Sequence, residues 1–331
     1  MPRILVLGGT SYVAQFVLQH LLRNDALLVA DAGGAQEKVT AMACTVRGRP
    51  FSPLPPGFEA AESGSPLDDE MARVVRVYWE VDLLDPKALR NCLAHFRPAI
   101  VINCAGETDA DCAILRSDFV YDGTQLHGES YVEDAAVMSP LLSEYGAGKL
   151  RFDQFLLEKE RSESCRVLVL RIANVVGPSA PLFPAQSVPK FMQWLRHQLF
   201  HSDATTDGQQ PPLKLWRDEF RSYLYIHDLV AVLVQLLALK PDSCTCLLNV
   251  GGEDALSRVE LAQKYLAACA THSPETAATV TREILPTERA RVDLGYPSPL
   301  NTRLNTTQLA RLLPTFTWTS TQQFLHEISR A

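Results

Sequence analysis

Apolar runs separated by amphipathic stretches occupy the first half of the chain, and this pattern is typical of an α/β protein. RILVLGGTSYVAQFVLQHLL, residues 3–22, combines a short apolar run, a glycine-rich turn and a stretch with apolar residues at helical spacing. Further apolar runs predict strands in LLVADAG, VVRVYWEV, RPAIVIN, AILRS and RVLVLRI. The order of strand, glycine-rich turn and amphipathic helix is how a dinucleotide-binding βαβ unit with parallel strands begins. The sequence therefore predicts a doubly wound parallel α/β fold.

The first turn, GGTSYVA at residues 8–14, has the position expected of a loop that holds a dinucleotide pyrophosphate. Free N–H groups and the dipole at the start of the following helix favour an anion there. The glycine pattern is incomplete, because Ser11 and Ala14 stand where the second and third glycines are expected. The hydroxyl of Ser11 either bonds phosphate or crowds it, and a loop that has lost tight binding is the alternative. We predict cofactor contacts from Gly8, Thr10, Ser11, Tyr12 and Val13.

The ends of the next strands supply the remaining cofactor candidates. Asp31 ends LLVAD about 20 residues beyond the glycines, where an acid accepts the ribose hydroxyls of NAD and repels a 2′-phosphate. We therefore expect NAD or NADP as cofactor with NAD preferred, although an Asp that caps a turn is the alternative. Asp82 and Leu83 follow the third predicted strand and are expected near adenine. Small residues after the fourth strand would let the cofactor pass close to the backbone at Asn103, Cys104, Ala105 and Gly106.

A Tyr-x-x-x-Lys pair, Tyr145 and Lys149, follows the predicted strand that ends at Ser117. Residues four apart on a helix lie on the same face, so both side chains would point toward Ser117. A fixed ammonium close to a phenol favours the phenolate and lowers the phenol pKa. A neighbouring hydroxyl can hold a carbonyl oxygen while the phenol transfers its proton. This set of residues indicates hydride transfer to or from a carbon that bears oxygen.

The pattern also predicts how the chain is divided. Residues 1–177 are expected to form a dinucleotide-binding domain, with an apolar helix at 226–240 packing back onto it. Residues 35–71, rich in Pro, Gly and acids, are interpreted as an irregular surface insertion. Residues 178–225 and 241–331 would form a smaller substrate-binding lobe. Only residues 106–113 separate the fourth and fifth strands, whereas a parallel crossover normally needs about a dozen residues or more.

Composition narrows the classes of function. The chain has 331 residues, 47% of them hydrophobic and 21% charged, as in ordinary globular proteins. A formal charge of −7 argues against nucleic acid or an anionic membrane as the main partner. The eight cysteines lack zinc-ligand spacing, so no metal site is predicted and buried thiols in a reducing cytoplasm are expected. No apolar run approaches the roughly 20 residues of a membrane span, and the first strand leaves no room for a signal peptide.

These motifs together resemble the extended short-chain dehydrogenase/reductases over nearly the whole chain. SDFVYDGT followed by YGAGKL is most similar to the dTDP-4-dehydrorhamnose reductase group, which includes the regulatory (beta) subunit of methionine adenosyltransferase. The resemblance implies a Rossmann-type domain with a smaller α/β lobe, and Ser117, Tyr145 and Lys149 as the catalytic set. It implies cofactor contacts from Tyr145, Lys149 and Ile172. It further implies that substrate is bound by Asp118, Asn174 and Arg221, with Arg221 at a substrate phosphate.

Three functions remain open at this stage. The leading hypothesis is a cytoplasmic NAD(P)-dependent reductase of a keto group, with a nucleotide-linked deoxysugar as substrate. A sugar-nucleotide epimerase with the same residues is a close variant, whereas dehydration is disfavoured because Phe119 replaces the catalytic Glu of the resembling dehydratases. The alternative is a non-catalytic regulatory subunit that keeps a dinucleotide site and binds methionine adenosyltransferase.

Overall fold

The computed structural model describes residues 2–24, 27–30, 34–61, 74–105, 115–162, 167–183, 189–200, 211–239, 247–272, 280 and 282–330. The helices are α1 Tyr12–Arg23, α2 Pro86–Phe96, α3 Glu144–Ser162, α4 Phe191–Phe200, α5 Ile226–Ala238, α6 Arg258–His272, α7 Thr307–Leu312 and α8 Thr321–Arg330. Short 3₁₀ turns lie at Asp118–Val120, Ser139–Leu141 and Arg289–Arg291. Within these ranges no helix combines the length and apolarity needed to cross a membrane.

The strands alternate with helices through most of the chain. They are β1 Arg3–Leu7, β2 Leu28–Ala30, β3 Gln36–Lys38, β4 Ala41–Thr45, β5 Phe58–Ala60, β6 Val75–Tyr78, β7 Ile100–Asn103, β8 Leu115–Ser117, β9 Val169–Ile172, β10 Asn174–Val176, β11 Leu213–Trp216, β12 Phe220–Tyr225, β13 Leu247–Val250, β14 Ala255–Ser257, β15 Ile284–Thr287 and β16 Asn301–Thr302.

A parallel sheet of order β5-β6-β4-β1-β7 forms the centre of the N-terminal part. A second parallel sheet has the order β13-β9-β8 and carries Ser117 and Ile172 in register at its carboxyl edge. The predicted α/β class with a parallel sheet is confirmed. Residues 106–114 lie outside the described residues. The short connection between the fourth and fifth predicted strands falls within them, so the expectation of a missing crossover helix stays a prediction.

The strand beside β1 differs from the one that the sequence predicted. Leu28–Ala30 pairs antiparallel with Gln36–Lys38 in a separate two-stranded sheet, whereas Ala41–Thr45 pairs with β1 and with β6. The expectation that LLVADAG provides the second parallel strand is therefore wrong. The interpretation of 35–71 as irregular is also wrong for β4, which is almost entirely buried. The run AMACT was missed because it is short and lies among turn-forming residues.

Apolar side chains cover the central sheet on both faces. Ile4 and Val6 of β1 belong to the large core that includes α1 and α5, whereas Leu5 and Leu7 pack with residues of α2. This split follows from the alternation of side chains along a strand. Helix α5 contacts α1 and β2. The helices therefore cover both faces of the sheet. Its carboxyl edge is the part that the helices leave uncovered for a ligand.

Smaller sheets assemble the C-terminal part. Strand β12 pairs with β10, β14 and β16, and β11 pairs with β15. Strand β13 lies in the same sheet as β8 and β9. Residues 247–250 therefore join the sheet that carries Ser117, whereas the sequence placed them in the substrate-binding lobe. The sequence SRVE at residues 257–260 has the pattern that predicts a capping box at a helix start. The box is present at the start of α6, because Ser257 N–H donates to the Glu260 carboxylate at 2.7 Å and Glu260 N–H donates to the Ser257 hydroxyl at 3.2 Å. The remaining division into two lobes stays a prediction.

Candidate functional site

Two glycines after β1 bring the first turn against the ends of β4 and β7. Gly8 has φ +73°, and a Cβ there would lie 2.9 Å from Ala105 Cα. A Cβ at Gly9 would lie 2.8 Å from the Cys44 side chain, and Gly9 N–H donates to Thr45 O at 2.8 Å. Only glycine permits both approaches without displacing neighbouring atoms. The two glycines therefore let the turn pack closely against Ala105 and Cys44 at the carboxyl edge of the sheet.

Ser11 has a local role that the sequence did not indicate. It is the N-cap of α1, and its hydroxyl accepts a hydrogen bond from Ala14 N–H at 3.4 Å. Its N–H donates to Gly8 O at 2.8 Å, and its backbone is extended with φ −66°, which requires no glycine. The hydroxyl thus satisfies one of the orphan donors of the helix N-terminus. Thr10, beside it, accepts a hydrogen bond from the Gln15 side chain through its carbonyl.

The end of β7 lies beside this turn. The side-chain carbonyl oxygen of Asn103 accepts from Ala105 N–H at 2.8 Å, while the buried Asn103 Nδ2 has no hydrogen-bond partner among the described residues. Burial raises the pKa of the Cys104 thiol to about 12, so Cys104 is a small apolar wall residue and not a nucleophile. Asp82 and Leu83 follow β6, and Asp82 accepts from Leu84 N–H at 2.9 Å. Asp31 and Gly106 lie outside the described residues.

Helix α3 packs directly on the 3₁₀ turn that follows Ser117. A Cβ at Gly146 would lie 2.2 Å from Phe119 O, so the absence of a side chain at Gly146 permits the contact. Ser117 caps the turn by accepting from Phe119 N–H at 3.2 Å. The Phe119 ring meets the Tyr145 ring edge to face, with centroids 6.0 Å apart. Gly146 therefore sets the position of α3, and with it Tyr145, relative to Ser117.

The predicted Tyr145–Lys149 pair is formed. The Lys149 ammonium lies 5.3 Å from the centroid of the Tyr145 ring. Lys149 is only 5% exposed, whereas Tyr145 is 38% exposed. A buried cation thus lies beneath an accessible phenol, which is the arrangement that the helical spacing predicted.

A cavity of about 340 Å³ opens at this edge of the two sheets. It brings together many of the residues predicted from the sequence, namely Tyr12, Val13, Cys104, Ala105, Ser117, Asp118, Tyr145, Lys149, Ile172 and Asn174. Residues that sequence reasoning missed complete the wall, namely Ala173, Val175, Val176, Lys190, Phe191, Tyr223 and Arg258. Lys190 and Phe191 carry no local motif, whereas RIANVVGP and DEFRSYLYIHDL contain the others except Arg258, whose helix was marked by the capping box at Ser257.

The tyrosines on the wall differ in their surroundings. Burial raises the pKa of both Tyr12 and Tyr223, so these two remain phenols at neutral pH. Tyr12 also donates its hydroxyl hydrogen to Pro178 O at 2.8 Å. Tyr145 is the exposed one of the three, and the buried Lys149 ammonium lies next to its ring. It is therefore the wall tyrosine suited to proton transfer.

Arg221 does not reach the cavity wall. It is 2% exposed, its Nε donates to Glu219 Oε1 at 3.0 Å, and its Nη1 lies 3.6 Å from Asp118 Oδ2. The Phe119 ring covers its guanidinium at 4.5 Å. Both buried carboxylates thus neutralise Arg221, and its implied contact with a substrate phosphate does not fit this geometry.

Asp118 lines the cavity but is held from behind. Thr302 donates to its Oδ2 at 2.6 Å, and Ser117 donates to its Oδ1 at 3.4 Å. Burial raises the pKa of this carboxyl, and the nearby Arg221 opposes that rise. Asp118 therefore fixes the floor of the site and anchors the Ser117 turn to β16.

Comparisons with known proteins agree with this architecture. A family model described as the NAD dependent epimerase/dehydratase family matches residues 112–251, a segment that contains Ser117, Tyr145 and Lys149. No curated protein sequence matches the chain significantly. The likeness to solved structures, in contrast, extends over the whole chain.

Three of these structures illustrate the likeness. UDP-glucose 4-epimerase of Thermus thermophilus, in complex with NAD, has TM-score 0.66 at 15% identity and covers 99% of this chain and 98% of its own. dTDP-4-dehydrorhamnose reductase of Bacillus anthracis str. Ames, in complex with NADP, has TM-score 0.64 at 14% identity and covers 99% of both chains. dTDP-glucose 4,6-dehydratase of the same organism, in complex with NAD, has TM-score 0.64 at 14% identity and covers 100% and 96%. The chain therefore has the Rossmann-type α/β fold of these proteins.

Proposed function

We propose that this protein is an NAD(P)-dependent reductase of a keto group carried by a nucleotide-linked deoxysugar. The observation that carries the proposal is the cavity that joins Ser117, Tyr145 and Lys149 to the carboxyl ends of β7 and β9. The match to the epimerase/dehydratase family model and the nucleotide-sugar enzymes of the same fold support it.

The residues present fit a nicotinamide dinucleotide. The turn at Gly8 and Gly9 leads directly into the start of α1, where free N–H groups would favour the pyrophosphate. The buried Asn103 Nδ2, without a described partner, is a donor available to a ligand. When bound, the cofactor would supply the hydride. Residues on its side of the cavity would be Tyr12, Val13, Cys104, Ala105 and Ile172.

The chain's own residues would divide the remaining work. Tyr145 gives its hydroxyl proton to the carbonyl oxygen as that oxygen gains negative charge. Lys149, buried beneath the ring, favours the anionic form of Tyr145 that results. Ser117 would hold the same oxygen by turning its hydroxyl hydrogen away from Asp118, to which it donates at 3.4 Å, and Asn174 at the start of β10 would contact the sugar. Phe119, packed between Tyr145 and Arg221, supplies no acid or base, which agrees with reduction and not dehydration.

The strand order favours NADPH over NADH. The strand beside β1 is β4, which ends at Thr45 and is followed by Val46, Arg47, Gly48 and Arg49. Arg47 and Arg49 are exposed, and the Gly9 turn contacts Thr45 directly. An arginine at the end of the second parallel strand accommodates the 2′-phosphate of NADP, whereas an acid there would select NAD. This proposal differs from the preference for NAD, because Leu28–Ala30 pairs with β3 and not with β1, while Asp31 itself lies outside the described residues.

A spectrophotometric assay tests both the reductase activity and the preference for NADPH. The purified protein is mixed with dTDP-4-dehydrorhamnose and either NADPH or NADH, and absorbance of the reduced cofactor is followed. We expect faster oxidation of NADPH, and a reduced preference for NADPH in Arg47→Ala and Arg49→Ala, with Arg90→Ala on α2 as the control. Absence of turnover with keto-sugar nucleotides would contradict the reductase. Product formed with no net cofactor consumption would instead indicate an epimerase, and co-purification with methionine adenosyltransferase would support the regulatory alternative.

A further inference from the structure

Two cations of the cavity lining, Lys190 and Arg258, lie outside the predicted catalytic set, and neither was marked by a motif. Arg258 opens α6, and Lys190 immediately precedes α4. The Arg258 guanidinium lies 5.4 Å from the centroid of the Phe191 ring, and Lys190 is the chain neighbour of Phe191. Arg258, Lys190 and Phe191 all line the cavity, and we call these three residues its basic wall.

The charges around this wall leave it positive. Lys149, Lys190 and Arg258 are the basic residues of the cavity lining, and Asp118 is its acid. Asp118 is already engaged by Thr302 and Arg221. Such a concentration of positive charge in a chain of formal charge −7 indicates an anionic ligand.

The side-chain nitrogens of Arg258 and Lys190 can also form further hydrogen bonds. Arg258 is 35% exposed, and its ion pair with Glu219 is made through Nε at 3.1 Å. Its two terminal nitrogens make no hydrogen bond or ion pair with any residue in the described ranges. The Lys190 ammonium lies 5.7 Å from the Tyr12 ring centroid, and it too has no ion pair in that part of the chain. A guanidinium edge with two free nitrogens matches two oxygens of a phosphate.

The geometry points to a diphosphate-binding wall in which Arg258 and Lys190 hold the diphosphate of the substrate. This assignment rests on the proposed function. It gives the phosphate-binding role to Arg258 instead of Arg221, because Glu219 and Asp118 neutralise Arg221. Glu219 holds Arg221 through Oε1 and Arg258 through Oε2, so the buried carboxylate orients the outer guanidinium. Phe191 supplies a flat apolar surface beside the anion.

Binding of nucleoside diphosphates without a sugar tests this inference apart from turnover. UDP and dTDP are titrated calorimetrically into the wild type, Lys190→Met, Arg258→Met and Arg258→Lys at one salt concentration. We expect each Met variant to bind both nucleotides about tenfold or more weakly, since each loses a charge-assisted hydrogen bond. Arg258→Lys should recover part of the loss, because it keeps the charge but not the bidentate edge. Lys214→Met, an exposed lysine on β11, is the control and should bind normally.

A parallel titration with NADPH distinguishes the two sources of diphosphate. The inference predicts that NADPH affinity stays within about threefold in all variants, and a loss confined to NADPH would overturn the assignment to substrate. Unchanged UDP and dTDP binding in Lys190→Met and Arg258→Met, or no binding of either nucleotide by the wild type, would also overturn it. Lys190 is exposed, so its substitution tests the wall even if Arg258→Met fails to fold. Weaker nucleotide binding in the variants of a protein that reduces no keto sugar would support the wall and contradict the reductase.

Discussion

Replacing Gly146 by Ala probes the contact that positions α3. In an exposed helix interior, Gly→Ala stabilises a protein by about 0.5–1 kcal/mol. Here the added Cβ would lie 2.2 Å from Phe119 O, whereas a carbon normally approaches a carbonyl oxygen to about 3.3–3.6 Å. Helix α3 must therefore move by about 1 Å, and overpacking of this kind typically costs about 1–3 kcal/mol. We expect a net loss of stability where the helix propensity alone predicts a gain.

The same displacement should reduce catalysis more than binding. Tyr145 and Lys149 move with α3, whereas Ser117 stays with β8. A misplacement of about 1 Å between reacting groups can cost about a hundredfold in rate. We expect kcat of keto-sugar reduction to fall by about that factor, with NADPH affinity within a few-fold.

Urea unfolding and steady-state kinetics on the same preparations measure the two effects. Gln154→Ala, an exposed change on the same helix, is the control and should match the wild type in both. If Gly146→Ala were as stable as the wild type and equally active, α3 would not rest on the Phe119 carbonyl. The account of how the site is assembled would then be refuted.

Three further predictions follow from the site. Tyr145→Phe should lower kcat by about 10²–10⁴-fold with cofactor binding nearly unchanged, and equal activity would remove Tyr145 from proton transfer. Arg221→Met should lower the free energy of unfolding by about 3–5 kcal/mol because buried Asp118 loses its cation and buried Glu219 keeps only Arg258, whereas exposed Arg217→Met should not; a stable Arg221→Met variant would contradict the buried ion pair. Ser11→Ala should cost about 0.5–2 kcal/mol by removing the N-cap and Ser11→Gly only a few tenths, as measured by urea unfolding, and equal losses would show that Ser11 is no cap.

Features that depend on nearby residues were determined by the sequence. The apolar run of β1, the glycine turn and α1 follow one another within about 20 residues, so their pattern alone predicted them. The spacing of Tyr145 and Lys149 placed both on one helix face, and the structure confirms their proximity. The Ser257–Glu260 capping box was likewise legible, because its hydrogen bonds span three residues.

Features that depend on pairing between distant segments were decided only by the tertiary structure. Both Leu28–Ala30 and Ala41–Thr45 are short apolar runs, and only the pairing of β4 with β1 and β6 shows which one enters the sheet. The burial of Arg221 could not be predicted, because it depends on Glu219, Asp118 and the Phe119 ring closing around it. Lys190 and Arg258 carry no motif and meet at the cavity only because α4 and α6 converge there. Local spacing thus determines elements and their faces, whereas burial and charge neutralisation depend on contacts that sequence proximity does not encode.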